Sequence, residues 1–213
     1  MSVGKEKKLN LVLLGGPGAG KGTQAEKLVG DGNLTHIATG DILREEVDRE
    51  TDLGLQAKEY MEKGELVPDD LVVNMVEKRL NEDKGYVFDG FPRTVNQAEE
   101  LDEVVDLDLV LYIKIDQEEA VRRLSSRRVC SDCGKIYNTI FKKPNREGIC
   151  DECGGELYQR SDDKSRVIRD RFDTFLEETA PLIEYYREKG LLEEVDGKRE
   201  PETINSEIQE IIS

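Results

Sequence analysis

A glycine-rich loop that carries one lysine follows a short apolar run near the N-terminus. The loop, GGPGAGKGT, begins at Gly15 directly after LNLVLL. It fits the phosphate-binding pattern G-x-x-x-x-G-K-[ST] except at the last position, where Gly22 stands and Thr23 follows. Glycines let backbone N–H groups face phosphate oxygens, and a helix that starts here adds positive potential. The loop therefore predicts a site for nucleotide phosphates, with Lys21 reaching the β- and γ-phosphates.

Two other readings of this loop are weaker. The dinucleotide fingerprint G-x-G-x-x-G fails in each frame, because its third glycine would fall on Lys21 or on Thr23. A plain surface turn with an incidental lysine does not account for the strand-like segment before the loop and the helical pattern after it.

Four cysteines form two pairs, CSDCG and CDECG. The spacing Cys130-x2-Cys133-x16-Cys150-x2-Cys153 is typical of a four-thiolate zinc site, and a glycine after each pair permits a tight turn. We predict a structural zinc, since four thiolates leave no open position for catalytic water. Disulfides are the alternative, and the spacing does not distinguish zinc from iron or cobalt. A nucleic-acid-binding zinc ribbon is disfavoured, because residues 126–163 carry seven basic and seven acidic side chains.

The segments around these residues predict an α/β fold. Apolar runs at residues 9–14, near Tyr86 and near Val110 are typical of parallel strands buried on both faces, and weaker candidates lie near Ile37 and Leu192. Helical patterns between them predict a three-layer domain with a parallel sheet. A long helical pattern places Ile168, Phe172, Phe175 and Leu176 at helical spacing, and Pro181 is expected to kink or split it.

Two segments interrupt this alternation and are interpreted as insertions. Residues 38–67 are helical with no strand, and residues 126–163 hold the cysteines. The predicted core is therefore discontinuous and comprises residues 1–37, 68–125 and 164–213.

Composition limits the class of protein. The chain has 213 residues and a net charge of −16, which disfavours nucleic-acid binding, so any phosphate ligand would need local cations. No apolar stretch approaches the roughly 20 residues of a membrane span, and no signal peptide is evident. We expect a cytoplasmic protein without nucleic-acid or membrane partners.

The motifs GGPGAGKGT, TGDILR, FDGFPRT and RSDDKSRVIRDRF, together with the cysteine insertion, occur in the order seen in adenylate kinases. The chain resembles the long-lid members of that family with a zinc-bearing lid, over residues 9–213. The resemblance implies a P-loop fold with a five-stranded parallel sheet, residues 38–67 closing over AMP, residues 126–163 closing over ATP, and the reaction ATP + AMP ⇌ 2 ADP with Mg²⁺. It also suggests a monomer.

The resemblance further implies residue roles. The ATP side would comprise Gly18, Ala19, Gly20, Lys21, Gly22, Thr23, Arg123, Arg127, Ile136 and Tyr137. The AMP side would comprise Thr39, Arg44, Glu65, Leu66, Val67, Gly90, Arg93, Gln97, Arg160 and Arg171, with Gln97 reading the adenine. Catalytic cations would be Lys21, Arg93, Arg127, Arg160 and Arg171. Asp89 would hold Mg²⁺ through water, and Asp162 and Asp163 would lie at the lid hinge. Contacts near residues 197–201 stay open.

These residues favour direct in-line phosphoryl transfer without a covalent intermediate, because no Ser–His or Cys–His arrangement is evident. His36, the single histidine, is interpreted as a structural residue at a strand end. Two alternatives remain at this stage: a nucleoside monophosphate kinase with a CMP, UMP or GMP acceptor, and a non-catalytic ATP-binding regulatory protein whose zinc insertion holds a partner.

Overall fold

The computed structural model centres on one parallel sheet of five strands, as the sequence predicted. It describes residues 8–30, 33–80 and 84–213. Parts of the predicted core lie outside the described residues, namely 1–7, 31–32 and 81–83.

All five predicted strands are present and all are parallel. They are β1 (Asn10–Leu14), β2 (Leu34–Ala38), β3 (Gly85–Asp89), β4 (Leu109–Lys114) and, after the two insertions, β8 (Leu192–Asp196), in the order β2-β3-β1-β4-β8. The central strand β1 is buried on both faces, because Leu11 and Leu13 join one apolar cluster while Val12 and Leu14 join another. Its continuous apolar run reflects this double burial.

Helices cover both faces of the sheet. In the core these are α1 (Lys21–Leu28), α4 (Asp69–Glu77), α5 (Val95–Val104), α6 (Gln117–Ser125), α7 (Ser165–Thr174), α8 (Pro181–Glu188) and α9 (Pro201–Ile212). Their apolar residues complete the clusters on each side, for example Val76 and Tyr186 on one face and Ile208 on the other. None of the helices in the described ranges is long and apolar enough to cross a membrane.

The first insertion consists of two helices, α2 (Thr39–Asp48) and α3 (Asp52–Lys63), which follow β2 directly. The Thr51 side chain caps α3 by accepting a hydrogen bond from the N–H of Gly54. A Cβ on Gly54 would lie 2.0 Å from the carbonyl oxygen of Glu46, so the two helices can approach this closely only with glycine at this position.

The second insertion contains a small antiparallel sheet in the order β6-β5-β7, formed by β5 (Arg127–Cys130), β6 (Ile136–Asn138) and β7 (Leu157–Tyr158). Its buried apolar cluster comprises Cys130, Tyr137, Cys150 and Leu157, and Val129 on β5 is buried as well. A core this small needs a further constraint to be stable.

The long helical pattern is split at Pro181, as expected. A five-residue π-helical turn, Phe175–Thr179, separates α7 from α8, and Pro181 opens α8. Phe172 and Phe175 are buried with Ile168, but the expected fourth apolar position, Leu176, is 53% exposed. At about 100° per residue Leu176 lies about 80° from Ile168, at the margin of the apolar face, and it is on the solvent side.

Candidate active site and metal site

The glycine loop turns between β1 and α1 at the carboxyl end of the central strand. Gly18 and Gly20 have φ values of 80° and 94°, a left-handed conformation that other residues rarely adopt. A Cβ on Gly18 would also lie 3.1 Å from the Leu124 side chain. The ammonium of Lys21 donates hydrogen bonds to the carbonyl oxygens of Gly15 (2.7 Å) and Gly16 (3.1 Å), which holds it over the loop.

Gly22, the position where the sequence departs from the general phosphate-loop pattern, lies close to the carboxylate of Asp89. A Cβ at this position would lie 3.3 Å from Oδ2 of Asp89, at the end of β3. The carboxylate thus lies close to the space that the side chain of a serine or threonine would enter. Its oxygens are suitable ligands for Mg²⁺ or its bound waters.

Two cavities open on this edge of the sheet. The larger has a volume of about 390 Å³ and extends from the glycine loop to β5 and β6. Every residue that the resemblance assigned to the ATP side lines it, as do Asp89 and Arg160. The smaller cavity, about 120 Å³, lies between α2, α3 and the core.

The smaller cavity is lined by all the residues assigned to the AMP side except Arg160. It adds apolar side chains, among them Leu43, Met61 and Val72. In the part of the chain that the structure describes, four cationic side chains line both cavities: Lys21, Arg44, Arg93 and Arg171. The boundary between the cavities is therefore the place where negative charge would be neutralised.

The wall of the larger cavity has an excess of positive charge, whereas the chain as a whole is negative. Among the described residues it carries twelve Lys and Arg side chains, which are Lys21, Arg44, Arg93, Arg122, Arg123, Arg127, Lys135, Lys142, Arg160, Arg171, Lys198 and Arg199. It carries five carboxylates, which are Glu26, Asp41, Asp89, Glu119 and Glu200. A polyanion can therefore bind here although the chain has a net charge of −16.

Crowding of buried cations lowers their pKa values. Burial, opposed by the nearby Asp89 carboxylate, lowers the pKa of Lys21 to about 8. Burial and neighbouring cations lower the pKa of Arg160 and of Arg171 to about 10 each, and burial lowers that of Arg93. Since a bound phosphate would relieve this unfavourable field, the cluster favours an anionic ligand.

Carboxylates at the end of the second insertion orient two arginines of the larger cavity. The fully buried Asp163 accepts two hydrogen bonds from Arg127, to Nε at 2.8 Å and to a terminal nitrogen at 2.6 Å. Asp162 accepts one from Arg171 at 2.8 Å. Burial would raise the pKa of Asp162, but the surrounding arginines, Arg171 foremost, hold it below its usual range.

The two insertions touch across the larger cavity. Arg160 lies 3.4 Å from the carboxylate of Asp41 on α2, and Arg44 lies 3.9 Å from that of Asp162. These two ion pairs connect α2 with the end of the second insertion.

The inner end of the smaller cavity holds a fixed amide. The Gln97 side chain is 1% exposed; its oxygen accepts from the N–H of Arg93 at 2.8 Å, and its nitrogen donates to Asp69 at 2.6 Å. These bonds leave one N–H and one lone pair of the amide for a ligand. The carbonyl oxygen of Gly90 accepts two hydrogen bonds, from the Thr39 hydroxyl at 2.7 Å and from Nε of Arg93 at 2.8 Å.

The four cysteines meet in the second insertion. Their sulfur atoms all lie within 4.8 Å of one another, with Cys130 to Cys153 at 3.4 Å and Cys133 to Cys150 at 3.6 Å. A tetrahedral site with Zn–S bonds of about 2.3 Å separates its sulfurs by about 3.8 Å, so the cluster fits a metal ion of this kind. The four thiols form no disulfide.

Tyr137 was expected to line only the adenosine side of the ATP site. In the structure its hydroxyl also lies near the cysteine cluster. It lines the larger cavity, but it is only 3% exposed and its hydroxyl lies 3.5 Å from the Cys150 sulfur. That hydrogen bond and burial raise the pKa of Tyr137 to about 12. Burial would raise the pKa of Cys150, but hydrogen bonds from Tyr137 and backbone N–H groups lower it to about 6.

Some residues that line the larger cavity were not among those predicted. The loop after β8 contributes Lys198, Arg199 and Glu200, α9 contributes its first residue, Pro201, and α2 contributes Asp41. The available signal was the position of this loop after the carboxyl end of a core strand, where ligands of parallel sheets bind. His36 lies in the middle of β2 and not at a strand end, with Nε2 3.6 Å from Oδ2 of Asp89.

Comparison with known proteins agrees with this architecture. The sequence model of the adenylate kinase family matches residues 13–191. An adenylate kinase of Methanocella arvoryzae is 48% identical over 96% of this chain and 98% of its own length. Those of Archaeoglobus fulgidus (47%; 96% and 98%) and Carboxydothermus hydrogenoformans (49%; 94% and 98%) are similarly close.

Proposed function

The chain belongs to the adenylate kinase family and catalyses ATP + AMP ⇌ 2 ADP, and we propose that ATP binds in the larger cavity and AMP in the smaller one. The observation that carries this assignment is the boundary that the cavities share. Lys21, Arg44, Arg93 and Arg171 line both, so two nucleotides bound there would bring their phosphates together among four cations. Phosphoryl transfer needs this arrangement, since it depends on positioning and charge neutralisation.

The glycine loop and its lysine hold the donor. Backbone N–H groups of residues 18–23 face the ATP phosphates, and Lys21 exchanges its carbonyl contacts for phosphate oxygens. Arg123 and Arg127 bind the donor from the side of the second insertion. Two hydrogen bonds to Asp163 hold the Arg127 guanidinium in one orientation, so less side-chain entropy is lost when ATP binds.

The acceptor is held by its phosphate and its base. Arg44, Arg93 and Arg171 clamp the AMP phosphate, while Glu65, Leu66 and Val67 border the nucleoside. Adenine offers an N–H donor beside a ring-nitrogen acceptor, and the free N–H and lone pair of Gln97 complement both. Uracil and guanine present a carbonyl beside a ring N–H instead, so Gln97 selects AMP over UMP and GMP; cytosine shares the adenine pattern, so rejection of CMP depends on the rest of the pocket.

Covering both cavities excludes water from the reacting phosphates. We assign residues 38–67 as the AMP-side cap and residues 126–163 as the lid. The contacts of Arg160 with Asp41 and of Arg44 with Asp162 join them when both are closed. Closure around two nucleotides favours transfer to AMP over transfer to water.

Two metals belong to this proposal. Adenylate kinases use Mg²⁺ with ATP, where the ion offsets phosphate charge; Asp89 at the end of β3 is the residue proposed to hold its water shell. The cysteine cluster is proposed to bind a structural Zn²⁺, which stabilises an insertion whose own apolar core is small. The protein is further proposed to be a cytoplasmic monomer that binds neither nucleic acid nor membranes.

The test is phosphoryl transfer from Mg·ATP to AMP, CMP, UMP and GMP in parallel, following ADP formation. We expect rapid turnover with AMP and a large preference for it. Gln97→Met should reduce that preference, whereas the same substitution at Gln117, a half-buried glutamine on α6 that lines neither cavity, should leave it unchanged. A wild-type preference for another monophosphate would overturn the acceptor assignment. Binding of ATP without transfer to any of the four would support a regulatory protein instead.

A further inference from the structure

The hydroxyl of Tyr137 lies against the second cysteine pair, while its strand follows the first. Tyr137 is on β6, which follows the first cysteine pair, while Cys150 and Asp151 belong to the second pair's turn. The hydroxyl oxygen accepts a hydrogen bond from the N–H of Asp151 at 2.8 Å and lies 3.5 Å from the sulfur of Cys150. Because a tyrosine hydroxyl has one hydrogen, and the oxygen here acts as acceptor toward Asp151, that hydrogen is available for the sulfur.

We propose that Tyr137 is a positioning residue of the lid metal site, whose hydroxyl orients the Cys150 thiolate toward the metal and joins the two cysteine turns. This inference rests on the metal site proposed above. Partners of metal-binding side chains fix their direction and stabilise the charged form that binds the ion. Here the partner also contacts the backbone of the next residue, so one hydroxyl fixes both the sulfur and the turn that carries it.

The surroundings of Tyr137 make this contact specific. Its side chain is 3% exposed, and it shares a small buried cluster with Cys130, Cys150 and Leu157. Backbone pairing of Tyr137 with Arg128 fixes the register of β6 on β5, the strand that ends at Cys130. The ring is therefore held by the sheet that carries the first cysteine pair, while its hydroxyl reaches the second.

The matched pair of variants is Tyr137→Phe and Tyr158→Phe. The first removes one oxygen and keeps the ring, and the second makes the same change at a 46% exposed tyrosine on β7 of the same sheet. For each protein, the full chain is stripped of metal under reducing conditions. Zn²⁺ affinity is then measured by competition with a chromogenic chelator, and Co²⁺ binding is followed by thiolate-to-metal absorption.

We expect wild type and Tyr158→Phe to bind one Zn²⁺ with similar affinity, and Tyr137→Phe to bind about ten- to a hundredfold more weakly. Unchanged affinity in Tyr137→Phe would overturn the role of Tyr137, and so would an equal loss in Tyr158→Phe. Failure of wild type to bind metal would overturn the metal site itself, while the activity assay would still report on the kinase assignment.

Amide hydrogen exchange in metal-loaded wild type gives a second readout that needs no variant. The N–H of Asp151 should exchange slowly, because its acceptor is a buried hydroxyl. Exchange as fast as that of exposed loop amides would contradict the proposed bridge.

Discussion

Raising the pH should weaken ATP binding through Lys21 before any other cation in the site loses its proton. With a pKa of about 8, Lys21 is mostly charged at pH 7 and mostly neutral at pH 9, so the population able to bind a phosphate falls about tenfold. The direction follows from the sign of the shift: a lowered lysine pKa keeps the charge below pH 8 and loses it above. The arginines with lowered values, Arg160 and Arg171, have pKa values of about 10 and keep their protons over this range.

The assay is isothermal titration of the protein with Mg·ATP, without AMP, at intervals from pH 7 to pH 9.5. Wild type should show a dissociation constant that rises about tenfold per pH unit above pH 8. Lys21→Met should bind weakly with a flat profile between pH 8 and pH 9.5, because the titrating group is gone. Lys114→Met, which removes an exposed lysine on β4, should reproduce the wild-type curve. A flat wild-type profile, or the same slope in Lys21→Met, would refute the reasoning.

Three further outcomes are expected. Asp163→Asn removes the carboxylate that pairs with the Arg127 guanidinium, so it should lower the free energy of unfolding by about 3 kcal/mol. It should also raise KM for ATP more than KM for AMP. A variant with the melting temperature and KM values of wild type would contradict this. Gly54→Ala should force α3 away from the Glu46 carbonyl and raise KM for AMP most, and an unchanged KM would show that the contact yields without cost. Removing the metal with a chelator under reducing conditions should lower the melting temperature, and addition of one equivalent of Zn²⁺ should restore it; a melting temperature that does not respond would exclude a stabilising metal.

The sequence predictions were correct where the structure depends on residues that are neighbours along the chain. Strand β1 and the α1 start were predictable because double burial requires a continuous apolar run and the loop needs glycines at positive φ. Leu176 was placed wrongly in the apolar face, since helical spacing puts it only at the margin of that face and local pattern does not show whether a neighbouring element covers the margin. The cysteine cluster was predictable because two short turns bring each pair together.

The sequence alone determined the phosphate loop, the cysteine ligand set and the alternation of strands and helices, since each depends on residues that are close along the chain. The tertiary structure decided which side chains meet. It brought Asp89 beside Gly22, paired Arg127 with Asp163, added residues 198–201 to the larger cavity and turned the Tyr137 hydroxyl toward Cys150. These contacts join segments far apart in the chain, and their geometry is fixed by strand order and by packing of the insertions on the core, which no local pattern encodes.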